Sequence, residues 1–231
     1  MIPDQSQKIL FRKESQLRDF LLKKVKSISG PYEFCLAKTE VPVGTRIPDI
    51  VLVCTSEKPR IDLWPYYWTY RHAAVISHLR RRYKLKIESI SKRLFEEPTR
   101  LEPVMKQLTK SGAVIKTKNN CYSLSEEFSS FSADVIAVET KLKRWKEAYF
   151  QAKSYFKFAN RSLVAMSPDG IPTTKESKKI FTKAGIGLVT VNGNAPKSLL
   201  TGRWQNNNNL EKEYIVGIAF GRLGHTRWSA L

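Results

Sequence analysis

Apolar residues recur at helical spacing near the start of the chain, at Ile9, Leu10, Leu17, Phe20, Leu21 and Val25, and predict a helix over about 5–26 that Gly30-Pro31 stops. The pattern then changes to strands. Residues 32–43 and 46–54 predict a hairpin turning near Gly44, with Asp49 early in its second strand. After Lys58-Pro59 the helical period returns, with Ala73, Ala74, Ile76 and Leu79 marking a helix over 67–83. A second helix is predicted at 87–94, then a turn at Glu96-Glu97-Pro98-Thr99, then a third helix over 100–110 that Gly112 ends. Short strands at 113–118 and 121–125 flank Asn119-Asn120, a pair suited to a tight hairpin. Beyond residue 132 strand and helix alternate: strand 134–141, helix 143–160, strand 162–166, helix 175–184 and strand 185–191. The tract 206–209 reads as a polar loop and the apolar run 214–220 as a last strand.

The order predicts an α/β chain in which a mainly α-helical block, 66–125, interrupts an α/β unit formed by 1–65 and 126–231. Three helices and a hairpin in that block resemble the winged helix-turn-helix domains that bind DNA. By helical spacing Leu101, Val104, Met105 and Leu108 face its core, while Arg100, Lys106, Gln107 and Lys110 point outward for phosphates or base edges. Lys116, Lys118 and Asn120 dress the hairpin wing.

Charge sharpens this picture. The chain holds 40 Lys and Arg against 21 Asp and Glu, a formal net charge of +19, which points to a polyanionic partner. Residues 66–125 hold 13 Lys and Arg against 4 acids, so the block with the binding resemblance also concentrates the excess. The expected partner is DNA, duplex or branched. A module that merely solvates its surface or binds protein is the ordinary alternative. No apolar run reaches the roughly 20 residues that span a bilayer, and the first residues lack a signal-peptide pattern. Cys35, Cys54 and Cys121 are scattered in apolar contexts, so the expectation is a cytoplasmic protein without disulfides. His72, His78 and His225 show no zinc-ligand spacing.

Candidate chemistry lies on two apolar strands. Pro48-Asp49 opens one, and Glu139-Thr140-Lys141 ends the other; strand alternation puts Glu139 and Lys141 on one face. Charges on an apolar strand depart from the rule that cores exclude them, and such departures tend to mark working sites. On the following helix Gln151 and Tyr155 are one turn apart and share a face, with Ala148 keeping space open.

With the helical block set aside, the order helix, hairpin, strand, helix, strand resembles the PD-(D/E)xK nuclease superfamily. Pro48-Asp49 matches its first half-motif and Glu139-Thr140-Lys141 its second. Gln151 and Tyr155 match the Q-x-x-x-Y pattern of the RecB-like branch. The resemblance implies a restriction-endonuclease-like mixed sheet flanked by helices, and a metal-dependent DNA endonuclease. In that reading Asp49, Glu139 and the carbonyl of Thr140 hold Mg²⁺, with Mn²⁺ a second candidate. Lys141 orients the attacking water or offsets developing charge, and Gln151 with Tyr155 holds Lys141 or a nearby phosphate. Glu14 resembles the acid that many members place beside the metal; Glu40 is the alternative. A homodimer or larger complex is compatible with double-strand cutting. Two other readings stay open: a DNA-binding regulator or architectural protein that keeps the fold without turnover, and RNA cleavage. A-form RNA presents a narrow major groove that suits a reading helix poorly. Taken singly, the charges also suit a strand-end salt bridge and a turn residue after proline.

Overall fold

The computed structural model of the chain describes residues 11–24, 26–82, 84–221 and 228–230. Along it run α1 (Glu14–Lys23), α2 (Lys26–Ser29), β1 (Phe34–Thr39), β2 (Ile50–Thr55), α3 (Tyr70–Arg81), β3 (Leu85–Lys86), α4 (Ile87–Leu94) and α5 (Pro98–Lys110). There follow β4 (Val114–Lys116), β5 (Cys121–Leu124), α6 (Glu126–Ser130), β6 (Asp134–Lys141), α7 (Trp145–Tyr155) and β7 (Arg161–Met166). The chain ends with α8 (Lys175–Ala184), β8 (Gly187–Val191), β9 (Pro196–Leu200), α9 (Leu210–Phe220) and β10 (Ser229–Ala230). The early residues of the expected first helix, among them Ile9 and Leu10, lie outside the described residues, as does Val25.

The main sheet has seven strands in the order β10-β1-β2-β6-β7-β8-β9. β6, β7 and β8 are parallel, and the remaining pairings are antiparallel. The hairpin expected around Gly44 is present, with Thr39 opposite Ile50, and Gly44 takes the positive φ of +59° that suits glycine in such a turn. Every residue of β2 is buried because both faces of the sheet are covered, which is why its sequence reads as a continuous apolar run. Ile50, Leu52 and Cys54 pack on one side with Leu17 and Leu21 of α1 and Ile28 of α2. Val51 and Val53 pack on the other with α7 and α9. Cys35 and Cys54 face each other across β1 and β2, and all three cysteines are free. No described helix is long and apolar enough to cross a membrane.

Residues 70–124 form three helices and a three-stranded sheet ordered β3-β5-β4. Leu101, Val104, Met105 and Leu108 are buried, as the helical spacing predicts. α5 begins at Pro98, so the expected turn supplies its first residues; proline suits that position because its missing N–H is unsatisfied there anyway. The block shares a core with the main sheet. Trp64, 1% exposed at the junction, packs against the rings of Phe128, Phe131 and Phe220. Tyr70 stacks on Tyr214 at 3.8 Å, and Arg80 pairs with Glu213 at 2.6 Å, both joining α3 to α9.

The expectation of a last strand over 214–220 is corrected: this run lies in α9. Its β-branched and aromatic content imitates a buried strand, and a helix enclosed on nearly every side shows no polar stripe to betray its period. The start signal was present in the tract read only as a loop. The Asn209 side chain accepts a 3.0 Å bond from the Lys212 N–H, an ordinary N-cap. α7 also stops earlier than expected, at Tyr155; Phe158 and Ala159 close one last turn on the Tyr155 carbonyl, and the Asn160 N–H then bonds the Val135 carbonyl as the chain enters β7 beside β6.

Gly217 marks how closely α9 meets the insertion. A Cβ there would lie 1.9 Å from the indole of Trp68. Gly217→Ala gains about 1 kcal/mol in helix propensity but overpacks the contact by more than that, so thermal melting should show a net loss of about 1–2 kcal/mol.

Candidate active site

The antiparallel register of β2 with β6 sets Ile50 opposite Val138, which brings Asp49, just before β2, to the end of β6 that carries Glu139 and Lys141. Asp49 Oδ2 accepts from the Thr140 backbone N–H and from its hydroxyl, each at 2.7 Å. Those bonds fix the carboxylate against the strand and leave Oδ1 without a hydrogen bond among the described residues. Glu139 and Lys141 share the face of Val135 and Ala137, as alternation requires. Glu139 is 2% exposed and Lys141 7%, which is unusual for charged residues.

The buried charges are met locally. Lys141 Nζ lies 3.0 Å from Glu139 Oε1, 3.3 Å from Glu14 Oε2 and 3.9 Å from Glu147 Oε1. The Tyr155 hydroxyl donates to Glu139 Oε2. Tyr155 reaches that carboxylate because Ala148 and Ala152, both fully buried, let α7 lie close to the sheet. Of the expectation that Gln151 and Tyr155 hold Lys141 or a nearby phosphate, the first part is met differently: Tyr155 binds Glu139 rather than Lys141. Gln151 Oε1 is buried without a hydrogen-bond partner among the described residues.

The electrostatics follow from this packing. Burial raises the Glu139 pKa above the ordinary carboxylate value, and the negative charge of Asp49 raises it further, against the opposing bonds from Tyr155 and Lys141. Burial works against the Lys141 ammonium, yet its bond and attraction to Glu139, then to Glu14, hold its pKa above the usual lysine value. An isolated ion pair would lower the acid and raise the base. Here the acid stays high because desolvation and a second carboxylate outweigh its partners. Burial, followed by the charge and hydrogen bond of Glu139, raises the Tyr155 hydroxyl well above its ordinary value, so it is a donor at neutral pH.

Two carboxylates whose mutual repulsion is felt in a buried setting form a donor set that a divalent cation would relieve. Asp49 and Glu139 supply hard oxygens, and the family resemblance implies the Thr140 carbonyl as a third. Among the described residues no three His, Cys, Asp or Glu side chains are grouped to cage a metal ion. Two carboxylates and a carbonyl nevertheless fit Mg²⁺, which keeps several waters and rarely takes an all-protein cage.

Of the paired alternatives for a further acid, Glu14 joins the cluster and Glu40 does not. Glu40 pairs with Arg18 at 2.6 Å on the exposed side. Two neighbours escaped the sequence reading. Glu147 sits one turn before Gln151 on α7, and its spacing from Lys141 gave no motif. Arg46 lies three residues before Asp49; its Nε is buried without a hydrogen-bond partner among the described residues, and its charge reaches the Tyr155 hydroxyl. A cation just before a Pro-Asp pair was the available signal.

Arg100, Lys106 and Lys110 lie exposed on α5, and Lys116, Lys118 and Asn120 on the β4–β5 hairpin. Asn120 takes the positive φ of 54° expected in that turn. Gln107 is also exposed, and its amide oxygen is bonded to His72 Nε2 at 2.9 Å, which tethers it to α3 through that atom. Tyr66 and Tyr67, 52% and 60% exposed, stand beside Gln107 and Lys110 and carried no sequence signal beyond their aromaticity. Comparison of the chain with protein-family models, with curated proteins and with solved structures finds no match, so its functional reading rests on the chemistry of this cluster.

Proposed function

We propose that the chain is a divalent-metal-dependent endodeoxyribonuclease with a restriction-endonuclease-like sheet, carried to DNA by an inserted winged helix-turn-helix formed by α3, α4, α5 and the β3-β5-β4 sheet. One observation carries this reading: Asp49, Glu139, Lys141, Glu14 and Tyr155, drawn from four separate segments, converge at one end of β2 and β6. Asp49 and Glu139 would hold Mg²⁺ or Mn²⁺ together with the Thr140 carbonyl. The ion would supply charge neutralisation at the phosphate and a bound water of lowered pKa. Thr140 fixes the angle of Asp49 through its two bonds. Tyr155 orients Glu139 and satisfies an oxygen that burial would otherwise leave costly. Lys141 holds a proton at Nζ, balances Glu139 before substrate arrives and would stabilise negative charge at the phosphate. Glu14 keeps the lysine charged and turned toward the pair.

The exposed cations of α5 and the hairpin support the DNA partner. Each phosphate contact releases counterions, so replacing Lys106 and Lys110 with alanine should weaken duplex binding and flatten the slope of log affinity against log salt by about 2, measured by titration at several salt concentrations. An unchanged slope would remove α5 from the interface.

The enzymatic test offers supercoiled plasmid, linear duplex, single-stranded DNA and a branched junction to the protein in Mg²⁺ and then Mn²⁺, beside a Glu139→Ala, Lys141→Ala double variant. Cleavage by the wild type alone would support the nuclease. Tight binding without cutting on every substrate would favour the regulator reading. That reading gains from one feature, the Lys141 ammonium already neutralising Glu139 where a metal would otherwise do so.

A further inference from the structure

β6 begins at Asp134 and ends at Lys141, so its two ends lie roughly 23 Å apart at the usual rise of a strand. At the end away from the carboxylate cluster, α3, α9 and the segment after α6 enclose a cavity of about 370 Å³. Its wall includes Ser77, Arg80 and Arg81 from α3, Ser132 after α6, and Lys212 and Glu213 from the first turn of α9.

Two of these residues are largely buried and carry donors that no hydrogen bond takes up among the described residues. Lys212 is 7% exposed, yet its ammonium makes no hydrogen bond among the described residues, and the nearest carboxylate oxygen, Asp134 Oδ1, is 3.8 Å away. Ser77 is 8% exposed, and its hydroxyl likewise has no hydrogen-bond partner there. The nearby acids are committed elsewhere: Asp134 Oδ2 accepts from the Tyr32 hydroxyl at 2.6 Å, and Glu213 pairs with Arg80 at 2.6 Å. An ammonium on so buried a residue, with one carboxylate 3.8 Å away and no hydrogen bond among the described residues, keeps donors for a further acceptor. Burial pulls the Lys212 pKa below the ordinary lysine value, with Arg80 adding to the fall and the charges of Asp134 and Glu213 opposing it. The positive end of α9 adds to the preference for an anion.

We propose that this cavity binds a phosphate group, with the Lys212 ammonium and the Ser77 hydroxyl as buried donors and the Arg81 guanidinium closing the exposed side. A tetrahedral oxyanion offers several acceptors to donors converging from two helices, which a single carboxylate or a chloride does not. The shared chemistry is a phosphate, carried either by a small molecule or by the end of a DNA strand. The site stands independently of the nuclease reading.

The test is titration calorimetry on the full chain in chelator, using inorganic phosphate, adenosine monophosphate, and one oligonucleotide with and without a 5′-phosphate. Inorganic phosphate should bind the wild type, and Arg81→Ala, a surface change that leaves the core intact, should weaken it about tenfold, the worth of one charge-assisted hydrogen bond. Lys212→Met, which keeps the buried stem and removes the charge, should abolish binding while the protein stays folded by thermal melting. A gain from the 5′-phosphate that Lys212→Met removes would assign the strand end as the source. Binding of phosphate and the nucleotide without that gain would assign a small molecule. Wild type that binds none of the phosphates, or phosphate binding that both variants retain, would overturn the proposal.

Discussion

Glu139→Gln should abolish DNA cleavage while leaving the metal-free protein more stable than wild type. Loss of a carboxylate ligand removes several kcal/mol of transition-state stabilisation, a fall in rate of about a thousandfold or more. The stability change has the opposite sense. The folded protein holds the Glu139 pKa above its ordinary value, through burial first and Asp49 second, so folding favours the protonated acid. The stabilising contribution of that proton is fully present below the unfolded value near 4.5 and is lost as pH rises through the higher folded value. At neutral pH Glu139 is thus a net burden, and the neutral amide removes it. Melting in chelator should place the variant a few degrees above wild type, about 2–4 °C for each kcal/mol recovered in a chain of this size. The gap should close as the pH falls toward the carboxylate range. A variant that melts lower at neutral pH would show that the pairing of Glu139 with Lys141 outweighs its desolvation. Added Mg²⁺ should raise the melting temperature of the wild type and leave the variant unmoved.

Lys141→Met should also abolish cleavage, yet destabilise the protein. The Lys141 pKa is held above its ordinary value in the fold, so its contribution is fully present below the unfolded value near 10.5 and is lost only as pH rises through the folded one. At neutral pH the whole of it is at stake. Methionine fills the volume of the stem but leaves Glu139 buried and its Oε1 without a partner, and breaking a buried pair in this way costs about 3 kcal/mol or more. Denaturant unfolding of the two variants therefore separates the functional and structural roles of the pair: equal loss of activity, opposite shifts in midpoint. Equal midpoints would mean that the two charges contribute little to folding.

Much of this was legible in the sequence because the signals are local. β6 and α8 occupy the stretches that alternation and helical period mark, and Pro48-Asp49 with Glu139-Thr140-Lys141 name residues that meet in space. Glu139, Lys141 and Tyr155 are recognisable because strand and helix periods fix which side chains share a face. What was hidden depends on long-range packing. α9 lost its helical stripe by being enclosed between the sheet and α3. Arg46 and Glu147 became neighbours of the cluster only through the folding of the hairpin and of α7. Gln107 faces outward by helical phase, and only the approach of α3 reveals that His72 holds it. The mixed seven-stranded sheet is observed, while its kinship and chemistry rest on the proposal above.

The pairing of β2 with β6 also sets an order of events during synthesis. Asp49 and Thr140 are 91 residues apart in the chain, and Lys141 and Glu14 are 127 apart. A growing chain therefore carries no assembled cluster until β6 has emerged. Closing so long a loop adds only about 0.6 kcal/mol for each doubling of its length, but the search for that contact slows folding. The helices and hairpin of residues 70–124 lie inside that loop, yet α3 packs most heavily on α9, so the insertion in turn waits for α9 to finish its core. The insertion thus stands between the two halves of the cluster, which the nascent chain can complete only once α7, with Tyr155, has emerged.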